Sequence, residues 1–121
     1  MSAEWLDADG YPTEAALERI KTWDVLADPL GVLLFAADLW YYPDRVEITV
    51  GKHGFLKNRN VIRAYFSTGG WSGNESVIEE LIGPPSNFGV FFLDKWERGG
   101  HWWFEISKDY NDSTKAFKEG K

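Results

Sequence analysis

The run Leu30 to Leu39, LGVLLFAADL, constrains this chain more than any other segment. It is almost wholly apolar, so periodicity alone cannot separate a buried helix from a buried strand. Its ends decide. Asp28 followed by Pro29 is an N-cap followed by proline at the first helical position, and Pro43 stops the segment soon afterwards. A length of about a dozen residues also favours helix. The expectation is a mostly buried helix, with Asp38 facing solvent or capping a neighbour. Upstream, YPTEAALERIKTW reads as a first helix. Thr13 is its N-cap, and Glu14 suits the positive end of the helix dipole. Ala16, Leu17, Ile20 and Trp23 form the apolar stripe, while Glu18, Arg19 and Lys21 face water.

Beyond Pro43 the hydrophobic period drops to two. In RVEITV, Val46, Ile48 and Val50 alternate with Arg45, Glu47 and Thr49. In NVIRAYFS, Ile62, Ala64 and Phe66 alternate with Val61, Arg63 and Tyr65. The connector GKHGFLKNR is rich in turn residues, so the two strands should form an antiparallel hairpin. A helix follows, with Val77, Ile78, Leu81 and Ile82 on one stripe, Gly83 as its C′ glycine and Pro84-Pro85 barring continuation. The last unit, FGVFFLDKWERGGHWWFEIS, reads as a second hairpin about a two-residue Gly99-Gly100 turn. That turn would set Arg98 opposite His101, Trp96 opposite Trp103 and Asp94 opposite Glu105, all sharing a face with Phe92. Phe91, Leu93, Trp102, Phe104 and Ile106 would meet the helices. The expected fold is α+β, in the order ααββαββ, with a four-stranded antiparallel sheet and helices mainly on one face. Residues 1–107 form the single domain, and the polar tail 108–121 frays.

A chain of 121 residues is long enough to bury a core without staples. It has no cysteine, which removes disulfides, a thiol nucleophile and Cys-ligated metals. No segment approaches a membrane-spanning apolar run, and MSAEWLDADGYP is acidic and without the apolar stretch of a signal peptide. A cytoplasmic setting follows. The net charge of −6 is concentrated in residues 1–50, where ten acidic side chains face three basic ones. Such a half disfavours phosphate backbones and anionic membranes.

The stretch FSTGGWSGNESVIEEL, from Phe66 to Leu81, has the strand–glycine loop–helix order of a phosphate-binding loop. It has no GK[ST] or GxGxxG signature. Ser72 and Glu75 have capping-box spacing, and Glu75, Glu79 and Glu80 repel an anion. A turn with Trp71 at its centre is the expectation, the indole being either a lid on the core or a contact residue. His53 and His101 lie in or beside turns without metal-ligand spacing, and Ser67, Ser72 and Ser76 lack a nucleophile-elbow setting. No cofactor, metal or catalytic residue is expected. The outer sheet face is the candidate partner-binding surface: Tyr65, Phe92, Trp96 and Trp103, with Asp94 and Glu105 as apposed carboxylates that Arg63 or Lys95 would relieve. Lys52, Lys57, Arg59 and Arg63, with Phe55 in the same segment, form the alternative, a grip for single-stranded nucleic acid. A small enzyme of unknown reaction is the remaining alternative.

Three stretches carry a resemblance: DGYPTEAALERIKTWD (residues 9–24), STGGWSGNESVIEEL (67–81) and HWWFEI (101–106). With these the chain resembles small accessory proteins encoded by bacteriophages and prophages. The resemblance transfers no catalytic or ligand-binding residue. What it implies is a setting: an acidic, non-enzymatic binding protein in the cytoplasm of a bacterial host. Its partner would be a host protein or complex, including CRISPR-type or other nucleases of defence systems. Nucleic acid is a lesser candidate, no membrane is involved, and the aromatic face could instead pair two copies of the chain.

Overall fold

The computed structural model describes residues 4–118. In chain order the elements are α1 (Glu14–Lys21), α2 (Pro29–Leu39), a 3-10 turn (Pro43–Arg45), β1 (Val46–Lys52), β2 (Asn60–Ser67), α3 (Ser72–Ile82), α4 (Phe88–Phe92), β3 (Leu93–Glu97), β4 (His101–Ser107) and α5 (Asp112–Ala116). The strands make one antiparallel sheet in the order β1-β2-β4-β3. The fold is therefore α+β, as the periods imply, with two short helices beyond the three expected.

The two helix starts are held as their sequences dictate. Thr13 Oγ1 accepts from the Ala16 N–H at 3.2 Å, and Asp28 Oδ1 accepts from the Gly31 N–H at 3.0 Å. Asp38 faces solvent. Arg19 is exposed, yet its guanidinium lies 4.8 Å from the Trp23 ring centroid and 5.7 Å from those of Trp5 and Phe35. Its charge thus closes an aromatic cluster beside α1 rather than simply standing in water.

The core lies between the helices and one sheet face. Ile20, Leu33, Leu39, Val77 and Leu81 from helices meet Ala64, Phe66, Phe104 and Ile106 from β2 and β4. These strand positions alternate, as one-sided burial requires. Two buried polar links tie loops to this core. Trp40 Nε1 donates to the Ser67 carbonyl at 2.8 Å. The Asn74 side chain accepts from the Tyr41 N–H at 3.0 Å and donates to the Thr68 carbonyl at 3.2 Å.

Five expectations need correction. First, FGVFF is not strand. Asn87 takes a left-handed conformation (φ 57°), and the next five residues form α4, which brings Phe88 and Phe92 to 4.9 Å between centroids. Aromatics four apart meet on a helix, whereas on a strand they share a face but stand about 13 Å apart. Second, the last turn has three residues, Arg98-Gly99-Gly100, so Glu97 pairs with His101 and Trp96 with Trp102. A slip of one residue transfers a side chain to the other face. Trp96 therefore points to the helix side, and a bulge at Asp94 shifts the register again to Leu93–Phe104. Third, α3 starts one residue earlier than the capping-box spacing requires. Trp71 is the N-cap position, no side chain caps it, and Ser72 lies inside the helix. Fourth, Gly83 ends α3 with φ −98°, outside the left-handed region.

Fifth, the tail does not fray over residues 108–118. Asn111 and Thr114 form a reciprocal capping box that starts α5, and Thr114 is fully buried. Tyr110 donates its hydroxyl to the Leu26 carbonyl, and Asn111 Nδ2 donates to the Ala27 carbonyl at 3.0 Å. Tyr110 also meets Phe92 edge-on at 5.6 Å. A polar sequence is ordered here because its polar atoms satisfy the exposed loop between α1 and α2. Residues 119–121 of that tail, like residues 1–3 of the expected domain, lie outside the described residues.

Candidate protein-binding face

The face of the sheet away from the helices is built by the residues that alternate with the core. Across it, Glu47, Tyr65, Trp103 and Lys95 stand in one row, one from each strand. Tyr65 and Trp103 are 4.9 Å apart between centroids. Lys95 Nζ lies 4.3 Å from the Trp103 centroid and 3.2 Å from Glu97 Oε2, so the ring is partly covered by a cation that is itself paired. The Tyr65 hydroxyl is 2.7 Å from His101 Nδ1, which fixes both rings.

The next row is ionic. Arg63 donates from Nη2 and Nε to Glu105 Oε2, at 2.7 and 3.2 Å, and from Nη2 to the Lys52 carbonyl at 3.2 Å. His53 Nδ1 accepts from the Phe55 and Leu56 N–H groups at 3.1 and 2.9 Å, leaving Nε2 turned toward Glu105 Oε1 at 3.8 Å. Glu47, Thr49, Arg63, Tyr65 and Trp103 together line a shallow hollow of about 280 Å³. Within it Arg63 is committed to Glu105. The exposed Glu47 carboxylate has no hydrogen-bond or ion-pair partner among the described residues. A free carboxylate beside two aromatic rings suits a cationic side chain: the acid takes its charge and the rings take its methylene stem.

Of the expected platform, Tyr65, Trp103 and Glu105 come together on this face, where Glu105 pairs with Arg63 and has no like charge from Asp94 to relieve. The other members do not. Phe92 is 8% exposed and belongs to the core. Trp96, 54% exposed, lies on the opposite side of β3 against Trp102, 5.8 Å away. Asp94 sits in the bulge and does not face Glu105. Glu47 was legible as a face residue of β1, but nothing in the sequence marked it as the acid left without a partner.

Trp71 takes a third course, neither a lid on the central core nor a bare contact residue. Its ring is stacked between Tyr41 and Tyr11, at 4.1 and 4.6 Å. Its Nε1 is buried without a hydrogen-bond partner and rests where a Gly73 Cβ would be, 2.7 Å from that position. Pro12 and Tyr11 crowd the same point at 3.1 Å. The start of α3 is therefore roofed by aromatic rings instead of open to an anion. Gly73→Ala would push Trp71 off its seat, an overpacking expected to cost about 1–3 kcal/mol despite alanine's better helix propensity. Urea unfolding with near-ultraviolet circular dichroism checks this; unchanged stability and aromatic signal would mean that the roof moves freely.

The alternative basic grip is divided. Lys52, Lys57, Arg59 and the strongly exposed Phe55 lie at the β1–β2 end, whereas Arg63 is drawn into its ion pair on the sheet face. Among the described residues no cluster of three or more His, Asp or Glu side chains suits a metal ion. No helix there is long and apolar enough to cross a membrane. The chain matches no family model, no curated protein and no solved structure.

Proposed function

We propose that the chain is a non-enzymatic protein-binding module of a phage or mobile element. In this reading it acts in the bacterial cytoplasm and blocks a basic, nucleic-acid-handling surface of a host defence complex, such as a CRISPR-type nuclease. The observation that carries the reading is Glu47, without a partner among the described residues, beside Tyr65 and Trp103 on the sheet face away from the helices, in a chain with net charge −6. Lysine- and arginine-rich surfaces that grip phosphates are the surfaces such a face complements, by charge for steering and by aromatic area for affinity. Trp71, held in its sandwich, supports the neighbouring loop and is not part of the contact. The resemblance to phage and prophage proteins supports the setting.

The test uses wild type, Trp103→Ala and Glu47→Lys as affinity baits in host lysate, with captured complexes identified and assayed for nuclease activity. The expected result is a nuclease-containing complex held and inhibited by wild type, and bound roughly tenfold or more weakly by each variant. Equal capture by all three baits, or capture without inhibition, overturns the proposal. Binding of single-stranded oligonucleotide at low ionic strength, lost on replacing Lys57 and Arg59, would favour the basic loop as the functional surface instead.

A further inference from the structure

The two sheet edges differ, and among the described residues β3 is the more exposed of them. All five of its residues, Leu93–Glu97, are exposed. Trp96 projects from its helix side, and the chain leading into it exposes Val90 and Phe91 on α4. An exposed edge that carries large apolar side chains is a template for another strand. A bulge at Asp94 and the cation of Lys95 would blunt this edge against an arbitrary strand. The order of charges shows which strand they admit.

From 94 to 98 the sequence is Asp, Lys, Trp, Glu, Arg. Laid antiparallel on itself about Trp96, the strand pairs Lys95 with Glu97 twice across the copies, as the two already pair within one, and Trp96 with its own copy, while Asp94 in the bulge and Arg98 in the turn stand outside the ladder. Sliding the pair by one or two residues in either direction destroys this. The registers two residues away oppose Lys95 to Lys95 or Glu97 to Glu97, and those one residue away set Lys95 or Glu97 against Trp96. Opposite charges across strands contribute a few tenths of a kcal/mol each and like charges cost as much, so register is specified by the sequence itself. Face is matched as well. Lys95 and Glu97 pair with Trp103 and His101 on the open side, while Trp96 pairs with Trp102 on the helix side.

We propose that β3 is a homodimer edge: two copies pair antiparallel about Trp96, join their sheets into eight strands and close the edge by two-fold symmetry. The partner this surface fits is a second copy of the chain. The open faces of both protomers then lie on the same side of one continuous sheet. The inference rests on β3 and is independent of what the open face binds.

The experiment is light scattering and sedimentation of the full chain across the micromolar range, for wild type, Lys95→Glu, Glu97→Lys and the double variant. Wild type is expected to dimerise. Each single change places like charges across the dyad twice and should weaken association roughly tenfold. The double variant restores opposite charges and should recover it. An equimolar mixture of the two single variants should form a heterodimer, because each supplies the charge that the other lacks. These residues are exposed, so circular dichroism should show all variants folded. A wild type that stays monomeric at every concentration overturns the proposal. So does a dimer indifferent to the charge changes, or one that the mixture fails to restore.

Discussion

Asn74→Ala should destabilise the domain by about 1–3 kcal/mol, chiefly by leaving the Tyr41 N–H without its partner. Asn74 is only 1% exposed, yet it lies on α3 with no polar neighbour of its own helix to serve. Its Oδ1 takes the Tyr41 N–H and its Nδ2 serves the Thr68 carbonyl, so one side chain clamps the segment after α2 to the segment after β2. Alanine fills neither role. The Thr68 carbonyl keeps the Trp71 N–H as a partner at 3.0 Å, so the cost falls on the Tyr41 N–H, and a buried group that loses its partner costs roughly 1–3 kcal/mol. Against a total stability of about 5–15 kcal/mol the loss is large. Tyr41 should also slip from Trp71, on which it stacks at 4.1 Å, and dull the near-ultraviolet circular dichroism. The urea midpoint with an unchanged slope reports the energy. Asp38→Ala, at an exposed position, is the control and should move stability by no more than about 0.5 kcal/mol. A loss at Asn74 equal to the control would mean that the two loops hold each other without it.

What could be read from the sequence, and what could not, divides along the range of the interactions. The first two helices were legible because their determinants are local: Thr13 and Asp28 bond to N–H groups three residues on. The first hairpin was legible because period two holds from Ile62 to Phe66. Tyr65 and Arg63 were therefore placed on the correct side. The second hairpin failed on a single residue. Gly99-Gly100 satisfies a two-residue turn and equally the end of a three-residue one, and the choice moved Trp96 across the sheet. Nothing within the hairpin decides it. The Thr68 N–H, donated to the Gly100 carbonyl at 3.0 Å, helps hold the longer turn from another part of the chain. Phe92 failed because five residues are too few for periodicity to separate helix from strand. Asn74's bond to Tyr41, the tail's bonds to the loop between α1 and α2, and the setting of Glu47 beside Tyr65 and Trp103 join distant parts of the chain, to which patterning is blind.

The Arg98-Gly99-Gly100 turn is also where one methyl group should do the most damage. Gly100 has φ +82°, and an added Cβ would lie 2.1 Å from Thr68 Oγ1 and 3.2 Å from Thr68 Cβ. Thr68 is buried and holds the turn through its own N–H, so it has little room to retreat. Gly70 has nearly the same backbone, φ +75°, with nothing within 4 Å of its missing Cβ. The pair separates two costs that are usually confounded. Gly70→Ala should lose only the left-handed backbone term, about 1–2 kcal/mol. Gly100→Ala should lose that and an overpacking term, about 2–5 kcal/mol in all. Because the turn fixes Glu97 opposite His101, the same substitution should also loosen the Tyr65–His101 contact on the open face. Amide exchange across β3 and β4 reads that effect: faster exchange near the turn in Gly100→Ala, and little change in Gly70→Ala. Equal destabilisation by the two substitutions would show that Thr68 rotates clear and that the turn is held by backbone conformation alone.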